Sequence, residues 1–358
     1  MLLRDLYLKV YSKLPEVKHK TYNLFRINRL ETKNKNLQLA YASNMNEIVE
    51  IKNEKNMNKN IELKKESPKI PNKSRRGFVK KASWALAGLP FFVISKGVFE
   101  TTYDFKIFKQ DLFLKNLPKE LDGITVVQIS DIHAGSFVTT DPIQEVVRMV
   151  NAIKGDIVML TGDFVNFHQK EYGLIQEEMK KIKGDIGVYG CLGNHDHYME
   201  GKNLELLKKR LKYTGVDLLV NENRKLKINN TILQLAGSDN TGYNQNYADF
   251  DKTLSGLEDE YPTLLMTHDP TNWDRSVKDY RKVDLMLSGH THGGQIGWEL
   301  AGQILSPARV VYRQFAGHYK FKDQHLYINR GIGTTGPPVR VGVKPEITYL
   351  TLRKELSS

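Results

Sequence analysis

The stretch "GITVVQISDIHAGSFVTTDPIQEVVRMVNAIKGDIVMLTGD", residues 123–163, decides the fold class. Its two ends, "GITVVQIS" and "DIVMLTGD", carry short, continuous runs rich in β-branched residues, as strands buried on both faces of a parallel sheet do. The text between them reads as a helix, with Asp141 as N-cap and Pro142 at the first helical position. Outward from this unit, "GVYGCLG", "TLLMTH" and "VDLMLSGH" supply further strands, and "LELLKKRLKY" an amphipathic helix. Short strands around Lys225 to Leu235, Tyr312 to Phe315, His325 to Asn329 and Ile347 to Leu352 read as antiparallel pieces. From about residue 108 to 354 the economical architecture is α/β, with helices outside two packed, largely parallel or mixed sheets.

Composition narrows the partners. A chain of 358 residues, 40% hydrophobic, can bury one large core or two modest ones. The formal charge of +12 would suggest nucleic acid, but residues 1–81 hold 20 Lys and Arg against 8 Asp and Glu, so the rest of the chain is formally neutral. No nucleic-acid surface is expected on the folded body. The single cysteine, Cys191, forbids an intrachain disulfide and sits in an apolar strand, where a buried structural thiol is expected.

Residues 1–73 are rich in Lys, Asn and Glu and read as a basic, disordered region, with a helix between Leu2 and Leu30 the one exception the apolar spacing allows. Then Ser74-Arg75-Arg76-Gly77-Phe78-Val79-Lys80 matches the twin-arginine export pattern and runs into 14 uncharged residues, Ala82 to Ser95. That run is shorter than the ~20 residues a membrane-spanning helix needs. Residues 74–98 are therefore expected to be a cleaved signal or a retained membrane anchor, the competing reading being a buried or interfacial helix. The export machinery is the implied partner, and the following domain is expected outside the bacterial cytoplasmic membrane.

The ends of the core strands carry the chemistry. Asp131 and His133 follow the first, Asp163 the second, Asn194, His195 and Asp196 the third, His268 the fourth, and His290 and His292 the fifth. Ligands of α/β sheets gather at the carboxyl ends of strands, so these segments can meet in one crevice. Five of the ten histidines are here. Nitrogen and oxygen donors without a thiolate suit Mn, Fe, Zn, Co or Ni. Seven ligands are too many for one ion with an open position, but suit two ions ~3.5 to 4 Å apart sharing a carboxylate. Two divalent cations against Asp131 and Asp163 leave a positive crevice that attracts an anionic tetrahedral group, and phosphate esters fit best.

In this order "DIH", "TGD", "GNHD", the lone "TH" and "GHTHGGQ" resemble the calcineurin-like metallophosphoesterases over roughly residues 108–354, in particular an exported bacterial branch of the YkuE and YaeI type. The resemblance implies a four-layer α/β/β/α sandwich of two mixed sheets flanked by helices. It implies one metal on Asp131, His133, Asp163 and His292, and another on Asp163, Asn194, His268 and His290. It makes His195 a proton donor or transition-state stabiliser near the leaving oxygen, with Asp196 orienting its ring. It implies dimetal-dependent hydrolysis of phosphoester or pyrophosphate bonds, with a lipid-linked substrate such as a UDP-diacylglucosamine-type glycolipid among the candidates. The competing functions are a noncatalytic scaffold of the same fold and a cytosolic nucleotide phosphodiesterase. His168, His197, His318 and His325 are expected at the surface or behind the ligands, as supports are Asn166 and Asp239. Gly293, Gly294 and Gln295 would either donate to phosphate or only form a tight turn. Specificity is expected from the loops Asp239 to Asp249 and Trp298 to His318.

Overall fold

The structure, a computed structural model, describes residues 77–84, 86–88, 101–242, 245–300 and 303–355. All of them fall in one compact unit, Lys73–Ser358. The expectations for residues 1–73, the arginine pair and residues 89–98 fall outside the described residues. Residues 77–84 and 86–88 are helical and leave Phe78, Val79, Trp84 and Leu86 exposed, so this part of the apolar segment is not a buried helix. No helix among the described residues is long and apolar enough to cross a membrane.

Two six-stranded mixed sheets form the middle of the molecule. The first takes β1 (Lys106–Leu114), β2 (Thr125–Ile129), β3 (Ile157–Thr161), β4 (Gly187–Cys191), β5 (Val216–Leu218) and β16 (Glu346–Lys354) in the order β1-β16-β2-β3-β4-β5. Strands β2 to β5 run parallel, and β16 lies antiparallel to β2 and parallel to β1. The second takes β6 (Glu222–Ile228), β7 (Thr231–Gly237), β10 (Thr263–Met266), β11 (Leu285–Ser288), β14 (Gly317–Phe321) and β15 (Gln324–Ile328) in the order β14-β15-β11-β10-β7-β6. Its four central strands are parallel and its two edges antiparallel. Two small hairpins complete the strands: β8 (Thr241–Gly242) with β9 (Gln245–Asn246), and β12 (Trp298–Leu300) with β13 (Gln303–Leu305).

The period-2 alternation of each strand sorts its side chains between layers. From β2 and β3, Val126, Ile157 and Met159 enter the core between the sheets, while Val127, Ile129, Val158 and Leu160 face the helices outside. In β10 and β11, Leu264, Met266, Leu285 and Leu287 turn inward, and Leu265 and Met286 outward onto Trp273 and Phe250. Each such burial contributes about 1.5–3 kcal/mol. Helices α1 (Asp141–Ile153), α2 (Gln169–Met179) and α3 (Lys202–Tyr213) cover the first sheet. In α1, Ile143, Val146, Val147 and Val150 are buried at the i, i+3, i+4, i+7 spacing of one helix face. Beyond the sheets lie two short helices, α4 (Phe250–Leu254) and α5 (Ala308–Val311). The arrangement is the four-layer α/β/β/α sandwich.

Two local expectations need correction. Thr140, not Asp141, is the N-cap of α1, and no side chain caps it; the Asp141 carboxylate accepts from Thr139 Oγ1 at 3.4 Å instead of from a first-turn amide. Residues Tyr312 to Phe315 are not a strand: they follow α5 as irregular chain that turns Tyr312 and Phe315 inward, and the edge strand begins at Gly317. Cys191 is buried in β4, where burial pushes its thiol well above the ordinary range.

Candidate metal centre

The parallel strands β2, β3, β4, β10 and β11 all end at the same edge of the sandwich, and the loops leaving them turn into one crevice. The turn is abrupt. Asp131 (φ 50), His133 (φ 45), Asp163 (φ 55), His290 (φ 73) and His292 (φ 53) all adopt the left-handed region, which costs an L-residue roughly 1–2 kcal/mol. Such strain gathers where side chains must be re-aimed at a site. The loops also approach closely: a Cβ on Gly289 would lie 1.8 Å from Ser130 Oγ and 2.3 Å from Asp131 Oδ2, so only glycine fits.

The donors meet in two groups. Ligand atoms of Asp131, His133 and His292 lie within 4.8 Å of one another, and so do those of Asp163, His268 and His290. His133 Nε2 faces His292 Nε2 at 3.1 Å and Asp163 Oδ2 at 3.5 Å, and His292 Nε2 is 3.3 Å from Asp131 Oδ1. His268 Nε2 lies 3.0 Å from Asp163 Oδ2, and His290 Nδ1 2.9 Å from Asn194 Oδ1. All seven expected ligands are therefore in one place, with Asp163 reaching both groups.

Neighbouring groups fix which atom of several ligands faces the crevice. His268 Nδ1 donates to the Thr161 carbonyl at 2.7 Å, leaving Nε2 inward. Asn194 Nδ2 donates to Tyr198 Oη at 3.1 Å, which leaves Oδ1 toward His290. The His290 amide donates to both oxygens of Asp131, and the His195 amide to Asp163 Oδ1 at 2.8 Å.

Electrostatics of the cluster fit a cation. Burial pushes His133 down to about 3 and His290 down to about 4, so both imidazoles are neutral with lone pairs to offer. Burial likewise takes His292 well below its ordinary value. His268 goes the other way: burial opposes its charge, but the Asp163 and Asp131 carboxylates outweigh it and hold its pKa at about 10. One proton between the facing nitrogens of His133 and His292 lets one donate and the other accept, whereas buried His133 Nδ1 and His268 Nε2 have no hydrogen bond of usable geometry. Three neutral imidazoles and two buried carboxylates converge here, and the proton that the carboxylates keep on His268 is the one a divalent metal would displace.

His195 stands beside this cluster, grouped with His133 and Asp163 and edge-on to the His133 ring at 4.6 Å. Its expected partner is not the observed one. His195 Nδ1 bonds the Asn166 carbonyl at 2.8 Å, whereas the Asp196 carboxylate accepts backbone amides of Asp163, Phe164, Val165 and Gly193. Asp196 thus ties the β3 and β4 loops together and does not orient the ring, because the main-chain amides of two turns already occupy its oxygens. The Asn166 carbonyl is held in turn by Glu171, which accepts the Asn166 and Phe167 amides from the first turn of α2.

The remaining expectations divide. Asp239 accepts from His197 Nε2 at 2.6 Å, and His168 caps α2. His318 and His325 stack on each other. Gln295 spends its side chain on Thr335, accepting from its amide and donating to its carbonyl, which makes this a turn device. Three residues around the site carried no readable signal. Tyr312 Oη lies 3.1 Å from His290 Nε2, and Thr335 Oγ1 2.7 Å from His292 Nε2. Fully buried Arg340 donates to the carbonyls of Arg330, Gly331 and Gly333 under the His292 loop.

Known proteins resemble this chain across the strands and loops that build this site. A family model described as calcineurin-like phosphoesterase matches residues 124–294. An uncharacterised metallophosphoesterase of Bacillus subtilis, YkuE, is 33% identical over 247 residues, spanning 66% of this chain and 82% of that protein. The Escherichia coli phosphodiesterase YaeI is 28% identical over 228 residues, spanning 63% of this chain and 81% of its own. Among solved structures, a dimetal phosphatase from Danio rerio aligns with 61% of this chain and 90% of its own at 11% identity and a TM-score of 0.39. The identity with YkuE over most of that protein's length makes this chain a member of the calcineurin-like phosphoesterase family, a dimetal-dependent hydrolase of phosphoric esters.

Proposed function

We propose that Asp131, His133, Asp163 and His292 hold one divalent ion, that Asp163, Asn194, His268 and His290 hold the second, and that His195 is the acid for the leaving group. The observation that carries this reading is the two donor groups meeting at Asp163. When bound, the ions neutralise phosphoryl charge and activate the attacking water. The protein's own residues do the rest. The Asn166 carbonyl accepts a hydrogen bond from His195 Nδ1–H and fixes the ring, so Nε2 is the nitrogen left to donate a proton to the departing oxygen. Such proton transfer contributes typically 10²–10⁴-fold. The unbroken donor set disfavours a noncatalytic scaffold.

The substrate we favour is a phosphoester or pyrophosphate on a lipid-linked envelope molecule, of which a UDP-diacylglucosamine-type glycolipid is one example. Supporting this are the twin-arginine pattern at residues 74–80 and the exposed apolar side chains of the helical residues that follow it. On this reading residues 74–98 engage the export machinery and the membrane, and the catalytic domain works on the outer side. A cytosolic nucleotide phosphodiesterase would instead fractionate with soluble protein.

The test loads the full chain with Mn²⁺ and compares nitrophenyl esters, an alkyl diester and the glycolipid. His195→Gln is expected to keep its metal and lose about 10²–10⁴-fold on the alkyl diester, but far less on nitrophenyl esters, whose leaving group needs no proton. Equal losses on both would remove the acid role. A loaded wild-type chain that turns over none of them would remove the reading.

A further inference from the structure

The described residues of the segment 296–316, that is 296–300 and 303–316, form a flap with two unlike faces. Inside, Ile304, Phe315 and Val343 form a small core of their own, with Ala308, Tyr312 and Ala316 packed against it. Outside, Trp298 and Leu305 are direct cross-strand partners in the β12–β13 hairpin, so they share a face, and Ile296 lies two residues before Trp298. These outer side chains are exposed: Ile296 48%, Trp298 66%, Leu305 44%, and in α5 Val310 91% and Val311 75%. Scattered exposed apolar residues are ordinary; five large ones on one flap mark a contact surface.

The flap carries two arginines, Arg309 and Arg313, against one carboxylate, Glu299. Glu299 is paired with Arg330 at 3.4 Å, and Asp274 with Lys278 at 2.9 Å. Arg313 reaches Asp274 only at 3.8 Å with its side chain 80% exposed, and exposed Arg309 lies beside Val310. Both arginines line a cavity of about 380 Å³ together with Phe315, Tyr319 and Arg330. The flap also leans on the metal loop, through Tyr312 Oη to His290 Nε2 at 3.1 Å and Thr291 Oγ1 to the Phe315 carbonyl at 2.5 Å.

We propose that this flap is a membrane-docking surface. Ile296, Trp298, Leu305, Val310 and Val311 enter the interfacial zone of an anionic bilayer, Arg309 and Arg313 pair with its phosphates, and the metal centre is held over phosphoesters at the headgroup level. Aromatic and aliphatic side chains rimmed by arginines are the composition that seats in this zone, some 5–10 Å deep. The inference rests on the lipid-linked reading of the substrate and names the surface that would deliver it.

The test uses the full chain with Trp84→Phe. Of its three tryptophans, this leaves buried Trp273 and exposed Trp298. Vesicles of phosphatidylglycerol with brominated acyl chains are expected to quench Trp298 fluorescence. The quenching is expected to vanish in Trp84→Phe/Trp298→Phe and in Trp84→Phe with Val310→Asp and Val311→Asp, and to fall sharply on phosphatidylcholine vesicles. Melting temperature confirms that each variant is folded. Vesicle binding with Trp298 unquenched overturns the proposal, since residues before the catalytic domain then dock alone. A concentration-dependent rise in mass, lost with Val310→Asp and Val311→Asp, overturns it in favour of a second copy. Turnover of the same nitrophenyl esters, alkyl diester and detergent-dispersed glycolipid by the Mn²⁺-loaded wild type is read in parallel and needs no bilayer: absence of turnover on all of them sinks the proposed function, whereas absent quenching with intact turnover sinks only the docking.

Discussion

Five of the seven donor side chains sit on left-handed residues, and each must be held there by something that outweighs its strain. Two devices supply this. One is close approach: Gly289 lets its loop lie against Ser130 and Asp131, and Gly193 lets its own lie against Asp163. Gly289→Ala is expected to destabilise the protein by about 1–3 kcal/mol and to weaken metal uptake, measured by urea unfolding and metal content; a neutral substitution would mean the loops are not so tightly apposed. The other is Asp196, whose carboxylate gathers four backbone amides. Asp196→Ala leaves these donors without an acceptor at about 1–3 kcal/mol each, so the expected result is a loss of stability before any loss specific to catalysis. A stable Asp196→Ala protein with a changed pH–rate profile would return Asp196 to the role of orienting His195. The donors were legible because Asp, Asn and His after an apolar run have few structural reasons to be there. The tasks of Asp196, Tyr312 and Arg340 were not, because they bond main-chain atoms or a side chain from a distant loop, and neither leaves a mark in spacing.

Helices and strands were read well where periodicity was strong and poorly where the chain served the site. The five core strands and α1 and α3 stand where their apolar patterns put them, while Tyr312 to Phe315, read as a short strand, is instead the inner wall of the flap. The β14–β15 hairpin makes its own prediction. His318 and His325 stack with ring planes 13° apart and Nε2 and Nδ1 2.9 Å from each other. Burial, then the His318 charge, holds His325 down at about 4, and burial lowers His318 as well. The unfolded chain takes up protons near the ordinary histidine value of about 6.5, which the folded hairpin refuses. Stability contributed by this pair is therefore full above about pH 6.5 and falls as the pH drops toward 4. The urea midpoint is expected to decline across that window, and His325→Asn to flatten the decline; an unchanged slope in the variant would place the acid sensitivity elsewhere.

The molecule as a whole joins two sheets whose strands end together, and buried polar ties keep that end in register. Gln128, inside the core, donates to Thr161 Oγ1 at 2.9 Å in its own sheet and to the Ser288 carbonyl at 2.8 Å in the other, just below Asp163 and His290. Continuous apolar runs along β2, β3, β10 and β11 made the layers legible, but nothing in the sequence paired the sheets across Gln128, since the bond joins residues 160 positions apart. Metals bound across this seam should hold the sheets together. Ions at a hundredfold excess over their dissociation constant would add about 2.7 kcal/mol, and at roughly 2–4 °C per kcal/mol chelation is expected to lower the melting temperature by several degrees. A melting temperature indifferent to chelator would show that the cluster does not bind metal in the folded state.

The most direct measurement counts metal in the purified, desalted full chain and assays it on a nitrophenyl diester before and after chelation. Two ions per chain, activity lost with the chelator and restored by Mn²⁺, and both ions and activity depleted in Asp163→Ala are the expected results. Turnover that survives complete removal of metal, or an Asp163→Ala chain that still holds two ions and works at the wild-type rate, would contradict the shared centre.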